Sequence, residues 1–149
     1  MNKLKNLREH LLANVPELKQ SPECLLTFAD KGKVVSNSLS LCFEYQYTAN
    51  VIITDFTGDA DKVMVVVLAW YQQHQQDKCF PANIEFEADI LNNKAVDLSI
   101  KILLTERVVV AKDTNGQIES ITHQPEPMLD IETFAWPADL FINGEANGG

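Results

Sequence analysis

Between Leu39 and Ile53 the chain alternates with a period of two. Leu41, Phe43, Tyr45, Tyr47, Ala49, Val51 and Ile53 are apolar, and Ser40, Cys42, Glu44 and Gln46 fall between the first of them. Successive side chains of a strand point to opposite faces, so this run demands a sheet with one buried face. One long strand, or two in line with a bend near Asn50, satisfies the pattern, and an extended hairpin of this length can reach a neighbouring molecule. The second half repeats the alternation. Ile84, Phe86, Ala88 and Ile90 alternate with Glu85, Glu87 and Asp89; after the turn "NNK", Val96, Leu98, Ile100 and Ile102 alternate with Asp97, Ser99 and Lys101. These two runs predict a hairpin, and "RVVVAKDTNGQIESI" predicts another pair of strands around Thr114, Asn115 and Gly116.

Two segments carry helical spacing instead. Leu4, Leu7, Leu11 and Leu12 define an amphipathic helix that Pro16 is expected to close. "LLTFA" and "KVVSN" then flank Asp30, Lys31 and Gly32, which predicts a short hairpin. The run Val63 to Tyr71 is rich in β-branched residues, yet Ala60, Met64, Val67, Tyr71 and His74 recur at helical intervals and "YQQHQQ" suits an exposed last turn. A helix apolar on nearly all sides needs cover on more than one side. The sheet supplies one cover; a neighbouring subunit over Met64, Val67 and Trp70 is one source of the other, and a plain core helix is the competing reading. The predicted fold is α+β, a mainly antiparallel β-sheet packed by two helices. At 149 residues the chain fits a single domain that buries roughly two-thirds of its unfolded surface, with 124–149 an extended C-terminal segment anchored by Trp136, Leu140 and Phe141.

Charge and cysteine usage narrow the function classes. Twelve Lys and Arg against 21 Asp and Glu give a formal charge of -9, a field that repels phosphate backbones and argues against sequence-specific nucleic-acid binding. Cys24, Cys42 and Cys79 are odd in number and form no CxxC pair, as expected of buried free thiols in a reducing compartment. The N-terminus lacks the apolar core and cleavage site of a secretory signal, and Val63 to Tyr71 falls short of the roughly 20 residues that span a bilayer. Neither export nor a membrane span is expected.

The stretch "TDFTGDAD" is the main candidate for chemistry. Asp55, Asp59 and Asp61 offer carboxylates to a metal, and a metal-dependent hydrolase using them is the alternative enzymatic reading. Their D-x-x-x-D-x-D spacing fits no calcium loop, however, and no bidentate acid follows at the required place. Capping accounts for the same residues at less cost: Thr57 or Asp59 can accept from the first helical N–H groups, Asp61 favours the positive end of the dipole, and Gly58 permits a tight turn. His10, His74 and His123 lie far apart in sequence, and a Cys79–His74 dyad has no supporting motif. No phosphate loop, nucleophile elbow or HExxH is present. No catalytic residue, cofactor or metal is therefore assigned.

At "YTANVIITDFTGDADKVMVVVLAW", "LSIKILLTERVVV" and "LFINGE" the sequence resembles the phage tail completion protein R (GpR) family of contractile-tailed phages of the P-two type. The resemblance runs from the N-terminal helix to Asn143, Gly144 and Glu145 in order and spacing. It implies a virion assembly protein, made in the host cytoplasm, that completes the tail for joining to the head. Its implied partners are the tail tube and head-tail connector proteins. By analogy of role it is similar to tail terminators, which cap the tube as homo-oligomeric rings, commonly hexameric. In such a ring Met64, Val67 and Trp70, with Trp136, Leu140 and Phe141, offer a subunit interface, and Glu85, Glu87, Asp89 and Asp97 offer an acidic lumen, against the simpler reading of an ordinary solvated sheet face. A monomeric adaptor between tube and head shares the partners but not the ring.

Overall fold

The computed structural model describes residues 1–37, 39–75 and 84–124. The chain begins with helix α1 (Asn2–Asn14), whose leucines at positions 7 and 11 turn inward, and continues into a short helix α2 (Pro16–Gln20). Pro16 thus opens a second helix as well as closing the first, because proline at N1 lacks only an N–H that the helix would leave unpaired. A single 3-10 turn, Pro22–Cys24, leads into the sheet.

Five strands form that sheet: β1 (Leu25–Ser36), β2 (Phe43–Phe56), β3 (Ile84–Ile90), β4 (Val96–Lys112) and β5 (Ile118–His123), with helix α3 (Ala60–His74) between β2 and β3. The spatial order is β1-β2-β4-β3, every pairing is antiparallel, and β5 also pairs with β4. At 17 residues β4 is long enough to serve two partners on one side: β3 pairs along Val96 to Ile102 and β5 along Val108 to Lys112. The predicted class is the one found, with α2 as an addition to the two expected helices.

Alternation places the core. Tyr47, Ala49, Val51 and Ile53 of β2 and Leu98, Ile100, Ile102 and Leu104 of β4 share one face, closed by Leu7 and Leu11 of α1 and Val63, Val67, Trp70 and Tyr71 of α3. Past this covered half the strands outrun the helices. The distal ends of β1 and β2, the end of β4 and all of β5 form a four-strand extension on which Val34, Val35, Val109, Ile118 and Ile121 are exposed.

Three expectations need correction. Asp30, Lys31 and Gly32 do not turn a hairpin: β1 runs straight through them, and the register with β2 slips between Asp30 and Lys33. Lys31 takes a left-handed φ of 51°, so the turn chemistry there serves a bulge. The strand expected from Leu39 begins at Phe43 and keeps its register past Asn50. Its irregularity lies between Ile53 and Phe56, where Asp55 has a φ of 52°. Asn50 is buried mid-sheet between Phe28 and Lys101 in register, and its amide donates to the Thr48 carbonyl at 3.4 Å.

Candidate functional site

The aspartates divide among three separate tasks. Asp59 is the N-cap of α3, its Oδ1 accepting the Asp61 N–H at 2.9 Å, and Asp61 sits in the first turn near the positive end of the helix dipole. Asp55 is the bulge residue, and its N–H donates to Asp97 Oδ1 at 2.9 Å, which ties the end of β2 to the start of β4. Thr57 and Gly58 join bulge to cap. A Cβ on Gly58 would meet Glu17 Oε2 at 2.5 Å and Phe56 Cζ at 2.8 Å; the half-exposed carboxylate can swing aside, but the buried Phe56 ring favours glycine here. Among the described residues no group of three His, Cys, Asp or Glu stands together to hold a metal.

The histidines are drawn into packing roles. His74 stacks on Trp70 with centroids 4.7 Å apart, and its Nδ1 lies 2.9 Å from the Trp70 carbonyl. His10, remote in sequence, comes within electrostatic reach of His74; burial first and that neighbour second push its pKa below the ordinary value. Cys24 and Cys42 are free but half-buried instead of fully buried, and Cys79 lies outside the described residues.

The α3 residues expected to offer a subunit interface are turned inward or to the margin of the core. Val67 and Trp70 are closed inside the protomer, with the Trp70 indole N–H donating to Asn6 Oδ1 at 2.7 Å, while Met64 is half-buried at the margin of the core. The large apolar residues that α3 turns outward are Val65, at 65% exposure, and Leu68. Apolar side chains all around the helix blurred the distinction between its faces; the inward stripe of Val63, Val67, Trp70 and Tyr71 follows helical spacing. Trp136, Leu140 and Phe141 lie outside the described residues.

On the opposite side of the sheet Glu85, Glu87 and Asp89 project from one face of β3 and are exposed, in register with Lys101, Ser99 and Asp97 of β4. Asp97 is half-buried and already engaged by the Asp55 N–H. The helix-side face of β3 carries Phe86 and Ile90 at 61% and 78% exposure, so this strand extends past the helical cover.

Two polar nodes were not legible in the sequence. Glu106 of β4 is 4% exposed, and its carboxylate accepts the Asn2 N–H at 2.8 Å, the Lys3 N–H at 3.3 Å and the Tyr47 hydroxyl, with His123 Nδ1 at 3.1 Å. It is therefore a tertiary cap on α1, supplied 104 residues away. Burial first, then the hydrogen bond and charge of Glu106, push the Tyr47 phenol well above the ordinary tyrosine range. The second node is Gln75, just after α3. Its Oε1 accepts the Thr105 N–H at 3.2 Å, its amide donates to Thr105 Oγ1 at 2.6 Å, and Lys3 Nζ donates to Oε1 at 2.7 Å. Thr105 falls in the stretch of β4 between the ends of β3 and β5, so a side chain fills the break in the ladder.

What these elements leave open is surface. β1 and β3 are the two edges of the covered half of the sheet, and large apolar side chains stand exposed along both. Comparison with known proteins identifies related sequences. The family model of the P2 phage tail completion protein R (GpR) matches residues 1–127. The tail completion protein R of Escherichia phage P2 is 40% identical over 152 aligned positions, which cover 97% of this chain and 96% of the relative. No solved structure matches it. With the match spanning α1 through β5, the chain belongs to the P2 phage tail completion protein R (GpR) family.

Proposed function

We propose that this chain is a structural protein of phage virion assembly that completes the tail, without catalysing a reaction, and does so as a closed ring of identical subunits at the end of the tail tube. The observation that carries the tail-completion role is its similarity, over nearly its whole length, to a relative named for that role. The ring rests on a second feature. The sheet is unlike on its two sides, β1 on one and β3 with β5 on the other, and joining unlike surfaces head to tail generates a closed ring when the rotation closes. The partners in this reading are the tail tube protein and the head-tail connector proteins, and the site of action is the virion, assembled in the bacterial cytoplasm.

Glu85, Glu87 and Asp89 share the face of the sheet away from the helices. In a ring that turned this face inward, they would repel passing DNA and keep it from adhering. Light scattering coupled to gel filtration tests the assembly state, and a phage lacking the gene tests the role. Expected are a discrete oligomer whose mass ignores EDTA and magnesium, and mutant lysates with separate heads and tails that added protein joins. A monomer that still restores joining would favour the adaptor reading over the ring.

A further inference from the structure

The free edge of β1 combines three properties. It is the terminal strand of the sheet, 12 residues long, with no strand beyond it among the described residues. Its face away from the helices bears Leu26, Phe28 and Val35, all exposed, with Leu26 at 57%. Lys31 and Lys33 stand exposed at the bulge between the two apolar stretches. Lysines and a bulge on an edge strand discourage indiscriminate pairing, and the same charges favour a strand of opposite sign.

The sequence holds one segment with matching chemistry. Residues 125–149 contain five acids, Glu126, Asp130, Glu132, Asp139 and Glu145, and no Lys or Arg, together with Phe134, Trp136, Leu140 and Phe141. The described chain delivers that segment at the other side of the sheet. Gln124 follows β5, and its N–H donates to the Arg107 carbonyl at 2.8 Å, on the side of β4 that faces away from β2 and β1. The last described residue before that segment therefore stands on the side of the sheet remote from its own β1, the side that a head-to-tail ring would turn toward the β1 of the adjoining copy.

We infer that the C-terminal segment 125–149 of one copy docks along the free edge of β1 of the next copy. Its aromatic residues cover Leu26, Phe28 and Val35, and its carboxylates meet Lys31 and Lys33. This inference rests on the ring reading and specifies one of its contacts. Nine residues separate Gln124 from Phe134, a reach of roughly 30 Å when extended, enough to cross a subunit boundary. Pairing along an edge strand supplies main-chain hydrogen bonds, and the side-chain complementarity sets which strand is accepted.

The test places a photo-crosslinker in the full-length protein, as Phe134→p-benzoylphenylalanine, and maps products by mass spectrometry after light scattering has fixed the assembly state. The expected product joins two chains at residues 25–36. It should be lost in Lys31→Glu/Lys33→Glu and return when that variant also carries Asp130→Lys/Glu132→Lys. Crosslinks within one chain, or to another surface of an intact oligomer, overturn this inference and leave the ring standing. A monomer at every concentration overturns the ring and this contact together. Circular dichroism of each variant guards against reading an unfolded protein as a lost contact.

Discussion

Glu106→Ala is the most informative single change. The carboxylate is buried and serves two backbone donors of α1, the Tyr47 hydroxyl and His123. Hydrogen bonds to a charged group contribute about 1.5 to 3 kcal/mol each, but these share one acceptor and do not add. Removing it leaves the Tyr47 hydroxyl and the first N–H groups of α1 without their acceptor, and a buried donor left unsatisfied costs about 1 to 3 kcal/mol. Water can reach the helix end, so about 3 kcal/mol is expected for Glu106→Ala. Glu106→Gln keeps the shape and one acceptor oxygen, and about 1 to 2 kcal/mol is expected. Urea unfolding followed by tryptophan fluorescence measures the loss, with an unchanged m-value showing that the unfolded state is the same. Helical ellipticity at low urea should also fall as the first turn of α1 frays. A loss below about 0.5 kcal/mol for the alanine variant, the range of ordinary surface changes, would refute the tertiary cap.

Other expectations follow from the same structure. Tyr47 has its folded-state pKa raised, so its contribution is complete below about pH 10, the unfolded tyrosine value, and is lost as pH rises beyond it; Tyr47→Phe should remove that alkaline loss in pH-dependent urea titrations. His10 has the opposite sign. Its folded pKa is lowered, so below about pH 6.5 the unfolded chain binds more protons and stability falls with pH; His10→Gln should flatten that acid limb. Gly58→Ala should destabilise by about 1 to 2 kcal/mol because the Phe56 ring is buried and cannot yield, and Glu17→Ala should restore part of the loss by removing the other clash, both read from melting curves. Asp59→Ala should cost about 1 kcal/mol as a lost cap, with the melting temperature of either protein unmoved by calcium, magnesium or EDTA.

Much of the architecture was legible because it is local. Leucines at positions 7 and 11 needed only helical spacing to be placed inward, and the alternation from Phe43 to Ile53 needed only the pleat. Asp59, Gly58 and Asp61 are also read within a few residues of one another. The errors arose where one local signal serves two geometries. Asp30, Lys31 and Gly32 can reverse a chain or bulge a strand, and only continued pairing with β2 on both sides selects the bulge. Val67 and Trp70 looked as suited to an interface as to a core, because the position of the sheet is not written in the helix. Glu106 and Gln75 were invisible for a plainer reason: their partners stand far away in sequence, and neither type announces a buried role.

The rung supplied by Gln75 has a mechanical consequence. Because β3 and β5 lie end to end along one side of β4, they behave as a single strand cut in two, spliced by a side chain where a continuous strand would have backbone. A backbone ladder resists shear residue by residue, whereas a glutamine has rotatable bonds to absorb a change of twist. On this side of β4 the portion beneath the helices and the portion beyond them are thus joined about residues 103–107 by one side chain, and the unbroken ladder to β2 on the other side carries the strand-to-strand pairing there.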